Sequence, residues 1–269
     1  MIGETAQAVG EPRLFRHPLP ADLLPPDRLD TIVRTAPPGK VVVQLADEGR
    51  ERLGQRPVYT TARFPIAEDV LERAVMYRIF DPHEWAGADL ADARDALLAQ
   101  QGPDPALGRH GVWPLIRIFS PGAVVALHGD PDMKLVAAFS GRTVWHVRPT
   151  GTMTAREHED LLHGGFFLPF RPSDAERSLD IGTGDGAYVP SRWPHWLEHP
   201  CDEPVVSYEI GFWTTEALRC RKVYDMNYLL RRLHLPRRPP GGPLDGLKAR
   251  GFDLATMALR KPQKYRGIH

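Results

Sequence analysis

The sequence predicts a mainly β protein with flanking helices. Between residues 113 and 214, short segments rich in β-branched and aromatic residues alternate with turns that contain Gly, Pro, Ser and Asp. Apolar residues recur at helical spacing on either side of this region. Strands this short and this evenly spaced are typical of a small β-barrel or of two packed sheets.

Residues 1–112 are expected to form an α/β region that supports the barrel. Prolines divide its beginning into short pieces, and two longer stretches with helical periodicity follow. The elements predicted here are a helix over 27–35, a strand over 40–45, a helix over 66–77, and a helix over 88–100 that ends at Gly102-Pro103.

Residues 113–214 are expected to form the β core. The predicted strands, in order, are WPLIRIFS, AVVALHGD, KLVAAFSG, TVWHVRPT, GAYVPS, HWLEH and PVVSYEIGFW. An irregular stretch over 150–178 interrupts them and contains His158, Glu159, His163 and the apolar run GGFFLPF. Long loops beside a barrel mouth often bind substrate, so this stretch is either a lid over a site or an ordered excursion without such a role.

Residues 215–269 are predicted to form a C-terminal helical extension. Over 215–235 an apolar stripe recurs at helical spacing among charged residues, and a Pro-rich connector and a weaker helical segment follow. The stripe exceeds what a lone surface helix needs, which predicts a homodimer through 215–235. Its members are Leu218, Val223, Met226, Leu229, Leu230 and Leu233.

Composition and charge exclude several classes of function. The 269 residues include 34 basic and 34 acidic side chains, and neither a basic patch nor a helix-turn-helix pattern points to nucleic acid. No apolar stretch is long enough for a membrane span, and the beginning of the chain has no secretory signal. Cys201 and Cys220 do not make a disulfide framework. We therefore expect a cytoplasmic protein that acts on a small-molecule or peptide substrate.

The strongest candidate site combines His128, Asp130 and His195. Side chains two residues apart on a strand face the same side, so an imidazole and a carboxylate at the end of one strand can face one cavity. Two imidazoles and one carboxylate on one side of a metal leave three positions open, as in non-haem Fe(II) oxygenases. Taken alone, the His-x-Asp pair is common and weak evidence, and it is more often a turn Asp that caps backbone amides beside a half-buried His.

The surroundings of His195 add to this hypothesis. Trp193 and Trp196 flank it and are candidates for shielding a site from water. His199 lies four residues farther on, where it is either a spare ligand or, more simply, a partly exposed strand histidine. Among the aromatic residues with inward parity, Trp145, Phe139 and Tyr208 are expected to be core residues rather than a substrate platform.

The order of these motifs resembles a known family. HGDPDMKLVAAFSGRTVWHVRP, then GDGAYVPSRWPHWLEH and SYEIGFW, is similar to the JmjC-like, cupin-fold oxygenases over about residues 113–214. The helix after residue 220 also resembles the C-terminal extension of bacterial cupin-like members. This resemblance implies a double-stranded β-helix and Fe(II)- and 2-oxoglutarate-dependent hydroxylation or demethylation. His128, Asp130 and His195 match the metal positions of the family.

One position departs from the family pattern. The lysine that anchors 2-oxoglutarate normally stands two residues after the glycine of its strand, and here that position is Thr143, two residues after Gly141. A hydroxyl does not replace an ammonium that pairs with a carboxylate. Arg142 is adjacent but has the opposite strand parity. Lys134 is the preferred substitute and Arg117 the next, while a solvated strand-end charge explains either residue equally well.

Three functions remain compatible with the sequence. The first is an Fe(II)/2-oxoglutarate-dependent oxygenase that hydroxylates a peptide, an amino acid or a natural-product intermediate. The second is a metal-dependent cupin that does not use 2-oxoglutarate, which Thr143 favours. The third is a non-catalytic sensor or binding protein on the same fold.

Overall fold

The structure is a computed structural model that describes residues 10–45, 47–48, 58–101, 108–162, 173–235, 238 and 240–258. Within these ranges the strands form two antiparallel sheets, and α-helices lie around them. The strands are β1 (Arg13–Arg16), β2 (Val41–Leu45), β3 (Asp47–Glu48), β4 (Val58–Thr60), β5 (Val75–Phe80), β6 (Arg109–Phe119), β7 (Ala123–Gly129), β8 (Met133–Ser140), β9 (Arg142–Val147), β10 (Arg177–Gly182), β11 (Asp185–Val189), β12 (Pro194–Glu198) and β13 (Val205–Thr214). The helices are α1 (Pro26–Thr35), α2 (Ile66–Glu72), α3 (Ala88–Gln101), α4 (Ala155–Leu162), α5 (Thr215–Arg232) and α6 (Asp245–Ala258).

The two sheets face each other as a double-stranded β-helix. The larger sheet has the order β1-β11-β8-β13-β6-β5-β2-β4, and the smaller has the order β10-β9-β12-β7-β3. From β6 to β13 the chain crosses between the sheets repeatedly, so each sheet is built from strands distant in sequence. This topology confirms the predicted mainly β fold class. The strands β2 and β5 come from the first hundred residues, yet they extend the larger sheet beyond β6. The division of the chain at residues 112 and 214 stays a prediction.

Alternation along the strands separates two cores. On β8, Leu135 and Ala137 face outward and join a cluster that includes the apolar faces of α1, α2 and α3. The intervening Val136 and Ala138 face inward and pack between the sheets with Trp145. The outer cluster fixes the helices on the larger sheet, and the inner cluster closes one part of the barrel interior.

The prediction of a helix over 66–77 is wrong at its C-terminal end. The helix α2 stops before Arg73, and Val75–Phe80 form a strand beside β6. The guanidinium of Arg73 donates to the carboxylate of Asp69, which also accepts a hydrogen bond from the hydroxyl of Tyr77. These bonds hold the chain where it turns from helix to strand. The segment after this turn is rich in β-branched and aromatic residues, which favour a central strand over a helix.

The described parts of the stretch over 150–178 contain regular structure that its sequence did not predict. They are the helix α4 and the start of β10. Both elements are short and mostly polar, so neither gives a strong periodic signal. Within α4, His158 Nε2 lies 3.0 Å from the carbonyl oxygen of Thr150, and buried Glu159 pairs with Arg231 of α5 at 3.3 Å. His163 and the run GGFFLPF lie outside the described residues, so the lid stays a prediction.

The helix α5 begins as the sequence predicts, with the hydroxyl of Thr214 accepting a hydrogen bond from the amide of Ala217 at 3.1 Å. Part of its apolar stripe is covered within the chain, since Val223 is fully buried and α5 packs against α4 and α6. Leu233 at the end of the stripe is 67% exposed. The homodimer through this helix stays a prediction, which light scattering on the purified protein tests: the mass of a single chain would contradict it.

Two further findings concern sequence features noted above. Within the described ranges, none of the helices is long and apolar enough to cross a lipid bilayer. Cys201 and Cys220 are free thiols, the first half-buried and the second buried. The cytoplasmic location stays a prediction.

Candidate metal centre

The structure brings His128, Asp130 and His195 together at one end of the barrel interior. His128 lies near the end of β7 and pairs in register with His195 at the start of β12, so the two imidazoles face each other across neighbouring strands. Their ring centroids are 4.3 Å apart. Asp130 follows β7 directly, and its Oδ2 lies 3.9 Å from Nε2 of His128 and 3.8 Å from Nε2 of His195. One potential ligand atom from each residue lies within 4.8 Å of the others.

Hydrogen bonds fix the orientation of both imidazoles. Nδ1 of His128 lies 2.8 Å from the carbonyl oxygen of Ala126, and Nδ1 of His195 lies 2.8 Å from that of Trp193. A carbonyl oxygen accepts only, so each Nδ1 carries the proton and each Nε2 presents its lone pair toward Asp130. Backbone bonds of this kind set the tautomer and the ring direction of metal-binding histidines.

Burial keeps both imidazoles in the neutral form that binds metals. Removal from water, with the neighbouring His128 ring as a second cause, lowers the pKa of His195 to about 3. Burial likewise lowers the pKa of His128, although the charge of Asp130 opposes the shift. At neutral pH the group therefore offers two imidazole lone pairs and one carboxylate, all on one side of a common point.

The tryptophans that lie inside the barrel near His195 differ in part from the two that the sequence analysis named. Trp145 of β9 stacks on the ring of His195, with centroids 5.1 Å apart and an interplanar angle of 13°. Trp193 joins the inner apolar cluster, whereas Trp196 faces the other side of the smaller sheet and stacks on His146. Trp145 and Trp193 therefore lie inside the barrel, whereas Trp196 is buried on the outer side of the smaller sheet.

Lys134 lies beside the candidate ligands but is held by two carboxylates. Its Nζ is 2.9 Å from Oδ2 of Asp132 and 3.4 Å from Oδ2 of Asp130, and its side chain is 2% exposed. Burial lowers the pKa of Lys134, but the charges of Asp130 and Asp132 outweigh it and raise the pKa overall. Lys134 is thus a permanent cation whose charge is already balanced, and it orients the Asp130 carboxylate.

Thr143 faces the interior, as the strand parity predicted, and is buried. Its hydroxyl lies 3.5 Å from the carbonyl oxygen of Glu198, so it brings no charge to the site. The neighbouring Arg142 points out of the barrel and pairs with Asp180 at 2.7 Å. In the family that the sequence resembles, this position holds a lysine. In this chain it therefore lacks a cation.

Arg117 faces the interior from β6, and a second arginine that the sequence analysis missed lies next to it. Arg78 of β5 is opposite Arg117 in the register of the larger sheet, and both side chains are 5% exposed. Nε of Arg117 lies 3.1 Å from Oε2 of Glu209. The sequence signal for Arg78 is that it is the one charged residue in the apolar segment VMYRIF. Its neighbours Tyr77 and Ile79 face outward, so Arg78 faces the barrel interior.

The prediction for His199 needs correction, and so does the direction in which Phe139 and Tyr208 face, although both are core residues as expected. His199 is fully buried rather than partly exposed, and it lies on the ring of Phe119 with centroids 4.0 Å apart. Its Nδ1 bonds to the carbonyl oxygen of Ala123, away from the His128 group. Phe139 and Tyr208 do not face inward: both belong to the outer cluster, and the Tyr208 hydroxyl donates to the carbonyl oxygen of Leu90. Phe139 lies on the same side of β8 as Leu135 and Ala137, and Tyr208 lies on the same side of β13 as Ile210, so regular alternation places both in the outer cluster.

Comparison with known proteins gives matches in structure. The chain is similar to Escherichia coli ycfD, with 19% identity, coverage of 96% of this chain and 67% of that one, and a TM-score of 0.53. A structure of YcfD, a ribosomal oxygenase from E. coli, in complex with cobalt and 2-oxoglutarate matches with 17% identity, coverage of 94% and 64%, and a TM-score of 0.52. The chain shares the fold of YcfD.

The chain spans about two thirds of the length of YcfD. No family model matches the sequence, and no curated protein matches it. The likeness to YcfD, together with the sheet order, confirms the cupin-type, JmjC-like fold that the motif order implied.

Proposed function

We propose that this protein is a non-haem Fe(II)- and 2-oxoglutarate-dependent oxygenase that hydroxylates a peptide, an amino acid or a natural-product intermediate. The observation that carries the proposal is the convergence of two neutral imidazole nitrogens and one carboxylate inside the barrel. Two imidazoles and one carboxylate with open positions are the ligand set of non-haem Fe(II) oxygenases. The description of YcfD as an oxygenase with cobalt and 2-oxoglutarate supports the same kind of activity.

The residues present fit an iron ion. His128, Asp130 and His195 would hold it, and the Nδ1 bonds described above already point both Nε2 lone pairs inward. When bound, iron and 2-oxoglutarate together would supply the activation of dioxygen that oxidises a C–H bond of the substrate.

The protein's own groups would prepare this site in three ways. The backbone bonds to Ala126 and Trp193 remove the need to reorient imidazoles when a metal binds. Lys134, with its Nζ 3.4 Å from Oδ2 of Asp130, would hold this carboxylate in place. The apolar side chains of the inner cluster would keep water from their side of the site, which would strengthen the electrostatic contacts there.

Anaerobic titration tests the proposal. Protein loaded with Fe(II) and given 2-oxoglutarate is expected to develop the weak visible absorption of a chelated 2-oxo acid, and exposure to air is expected to yield succinate. A crystal soaked anaerobically with both ligands would place them. Tight Fe(II) binding without the absorption band and without succinate, even with candidate substrates present, would contradict the use of 2-oxoglutarate.

A second candidate function rests on Thr143. Because this interior position has no cation, a metal-dependent cupin that does not use 2-oxoglutarate is the alternative. The absorption titration separates the two functions. A protein with the alternative function would bind Fe(II) or Mn(II) through the same residues, but added 2-oxoglutarate would not produce the visible absorption band.

A further inference from the structure

The interior face of the larger sheet carries an unusual pair of side chains. Arg78 and Arg117 lie directly opposite each other on β5 and β6, and their outward-facing neighbours pack in the outer cluster, so both guanidinium groups point between the sheets. Each residue is 5% exposed. Two adjacent guanidinium groups repel each other, and a buried charge without compensation is strongly destabilising. A pair like this requires negative charge nearby.

The described residues supply only part of that charge. Glu209 lies 3.1 Å from Nε of Arg117, but at an angle that makes no hydrogen bond, and its other oxygen accepts from Ser207. The guanidinium of Arg78 donates to the neutral amide oxygen of Gln44 at 2.9 Å, and within the described ranges it forms no ion pair. Nε of Arg78 and Nε of Arg117 are both buried without a hydrogen-bond partner in these ranges. Within the described ranges, Glu209 is thus the one carboxylate in ion-pair contact with either arginine.

The pair shares the barrel interior with the candidate metal ligands. The charge of Arg117 acts on both His128 and Lys134, and the charge of Asp130 acts on Arg78. In the sheet register Arg117 lies beside Ser207, which in turn lies beside Ala138. Short side chains at these two positions suit a ligand held between the two sheets, with the arginines on the larger sheet and His128 and His195 on the smaller.

The other candidate cations are already engaged. Lys134 is balanced by Asp130 and Asp132, and Arg142 is paired with Asp180 outside the barrel. Within the described part of the chain, the arginine pair is therefore the place inside the barrel where cations outnumber the carboxylates in ion-pair contact with them. An arginine fork binds a carboxylate through two parallel hydrogen bonds, which a single ammonium cannot do.

We propose that Arg117 and Arg78 together bind the distal carboxylate of 2-oxoglutarate, so that the cosubstrate is anchored from the larger sheet instead of from the position of Thr143. This inference rests on the proposed function, because it assumes that a 2-oxo acid occupies the metal site. It explains how the chain combines a complete set of metal ligands with an uncharged residue at the usual anchor position.

Binding to protein loaded with Mn(II), which avoids turnover, tests the inference by calorimetry. The probes are 2-oxoglutarate and 2-oxopentanoate, which has the same carbon chain without the distal carboxylate. A charge-assisted anchor is expected to favour 2-oxoglutarate by about ten- to a hundred-fold. Arg117→Met and Arg78→Met are each expected to remove most of this preference and to leave the affinity for 2-oxopentanoate and for Mn(II) unchanged.

Two variants serve as controls. Arg142→Met removes an arginine that points out of the barrel and is expected to keep the full preference. If Arg117→Met does not fold because Glu209 is left unpaired, the double variant Arg117→Met, Glu209→Gln removes both charges together and is expected to show the same loss of preference.

The possible outcomes separate the inference from the proposed function. Arginine variants that keep the wild-type preference would overturn the arginine anchor and leave the proposed function intact, as would a wild-type protein that binds both 2-oxo acids equally. A wild-type protein that holds Mn(II) but binds neither probe would overturn both the anchor and the use of 2-oxoglutarate. Loss of the preference in both arginine variants, with Arg142→Met unchanged, would support the anchor.

Discussion

His128→Ala and His195→Ala are each expected to abolish metal binding by the purified protein, whereas the wild type is expected to hold about one Fe(II), Mn(II) or Ni(II) per chain. Loss of a group that merely orients a metal ligand costs roughly 10- to 100-fold in affinity, so loss of a ligand is expected to cost more than about 100-fold. The effect is large because the described site offers three ligand atoms, and each histidine provides one of them. Metal content after dialysis, measured by atomic emission, checks the prediction.

His146→Gln is the matched control for this experiment. His146 lies on β9 of the same smaller sheet and is almost as buried, but it faces the opposite side, where its Nε2 lies 3.0 Å from Oε1 of Glu198. This variant is expected to retain the metal. If both His128→Ala and His195→Ala retain metal at the wild-type level, the assignment of the site is wrong. If His146→Gln also loses it, the loss reflects general unfolding, which circular dichroism detects.

The convergence of His128, Asp130 and His195 was predictable because strand alternation and the resemblance in motif order point to the same residues. Side-chain alternation places His128 and Asp130 on one side of the end of a strand, and the order of motifs identifies His195 as their partner. The structure adds what a single sequence does not contain: His195 lies opposite His128 because β12 is inserted between β7 and β9. Strand order in a sheet depends on pairing between distant segments, which local periodicity does not report.

The position of Arg78 inside the barrel, by contrast, was not predicted from the sequence. Its segment has apolar residues at helical spacing, so the helix prediction extended across the start of β5 and hid the strand alternation that points this side chain into the barrel. Its relation to Arg117 depends further on the pairing of β5 with β6. Phe139 and Tyr208 are core residues as predicted, but they pack on the outer side of the larger sheet, and which side of a strand faces the barrel depends on how the two sheets are assembled.

Stability alone does not account for the charges buried in the barrel, because replacement of buried ion pairs by apolar residues is often neutral or stabilising. Lys134, Asp132, Arg117 and Glu209 are all at most 5% exposed, and they lie in a barrel whose inner cluster is otherwise apolar. Buried charges of this kind, grouped beside three potential metal ligands, are typical of a functional site.

A different buried charge, Asp69, holds the junction of α2 and β5 and is expected to have the largest effect on stability. Its carboxylate accepts hydrogen bonds from the guanidinium of Arg73 and the hydroxyl of Tyr77, and its side chain is fully buried. Breaking a buried pair by removing one partner leaves the other uncompensated, so Asp69→Ala is expected to lower the free energy of unfolding by about 3–5 kcal/mol. Asp89→Ala is the control. It breaks an aspartate–arginine pair with Arg28 whose carboxylate is 52% exposed, and it is expected to cost about 0.2–1 kcal/mol.

The pH dependence of the Asp69 effect follows from the same contacts. Burial raises the pKa of Asp69, but the hydrogen bonds from Arg73 and Tyr77 outweigh it and hold the pKa below its ordinary value of 3.8. A carboxyl group whose pKa is lower in the native state stabilises the fold above its unfolded pKa, and this contribution is lost as the pH falls through the native pKa. In urea unfolding, the difference between wild type and Asp69→Ala is therefore expected to be constant above about pH 5 and to narrow below about pH 4. A difference that stays constant down to pH 2, or that widens as the pH falls, would show that the ionised carboxylate does not stabilise this junction.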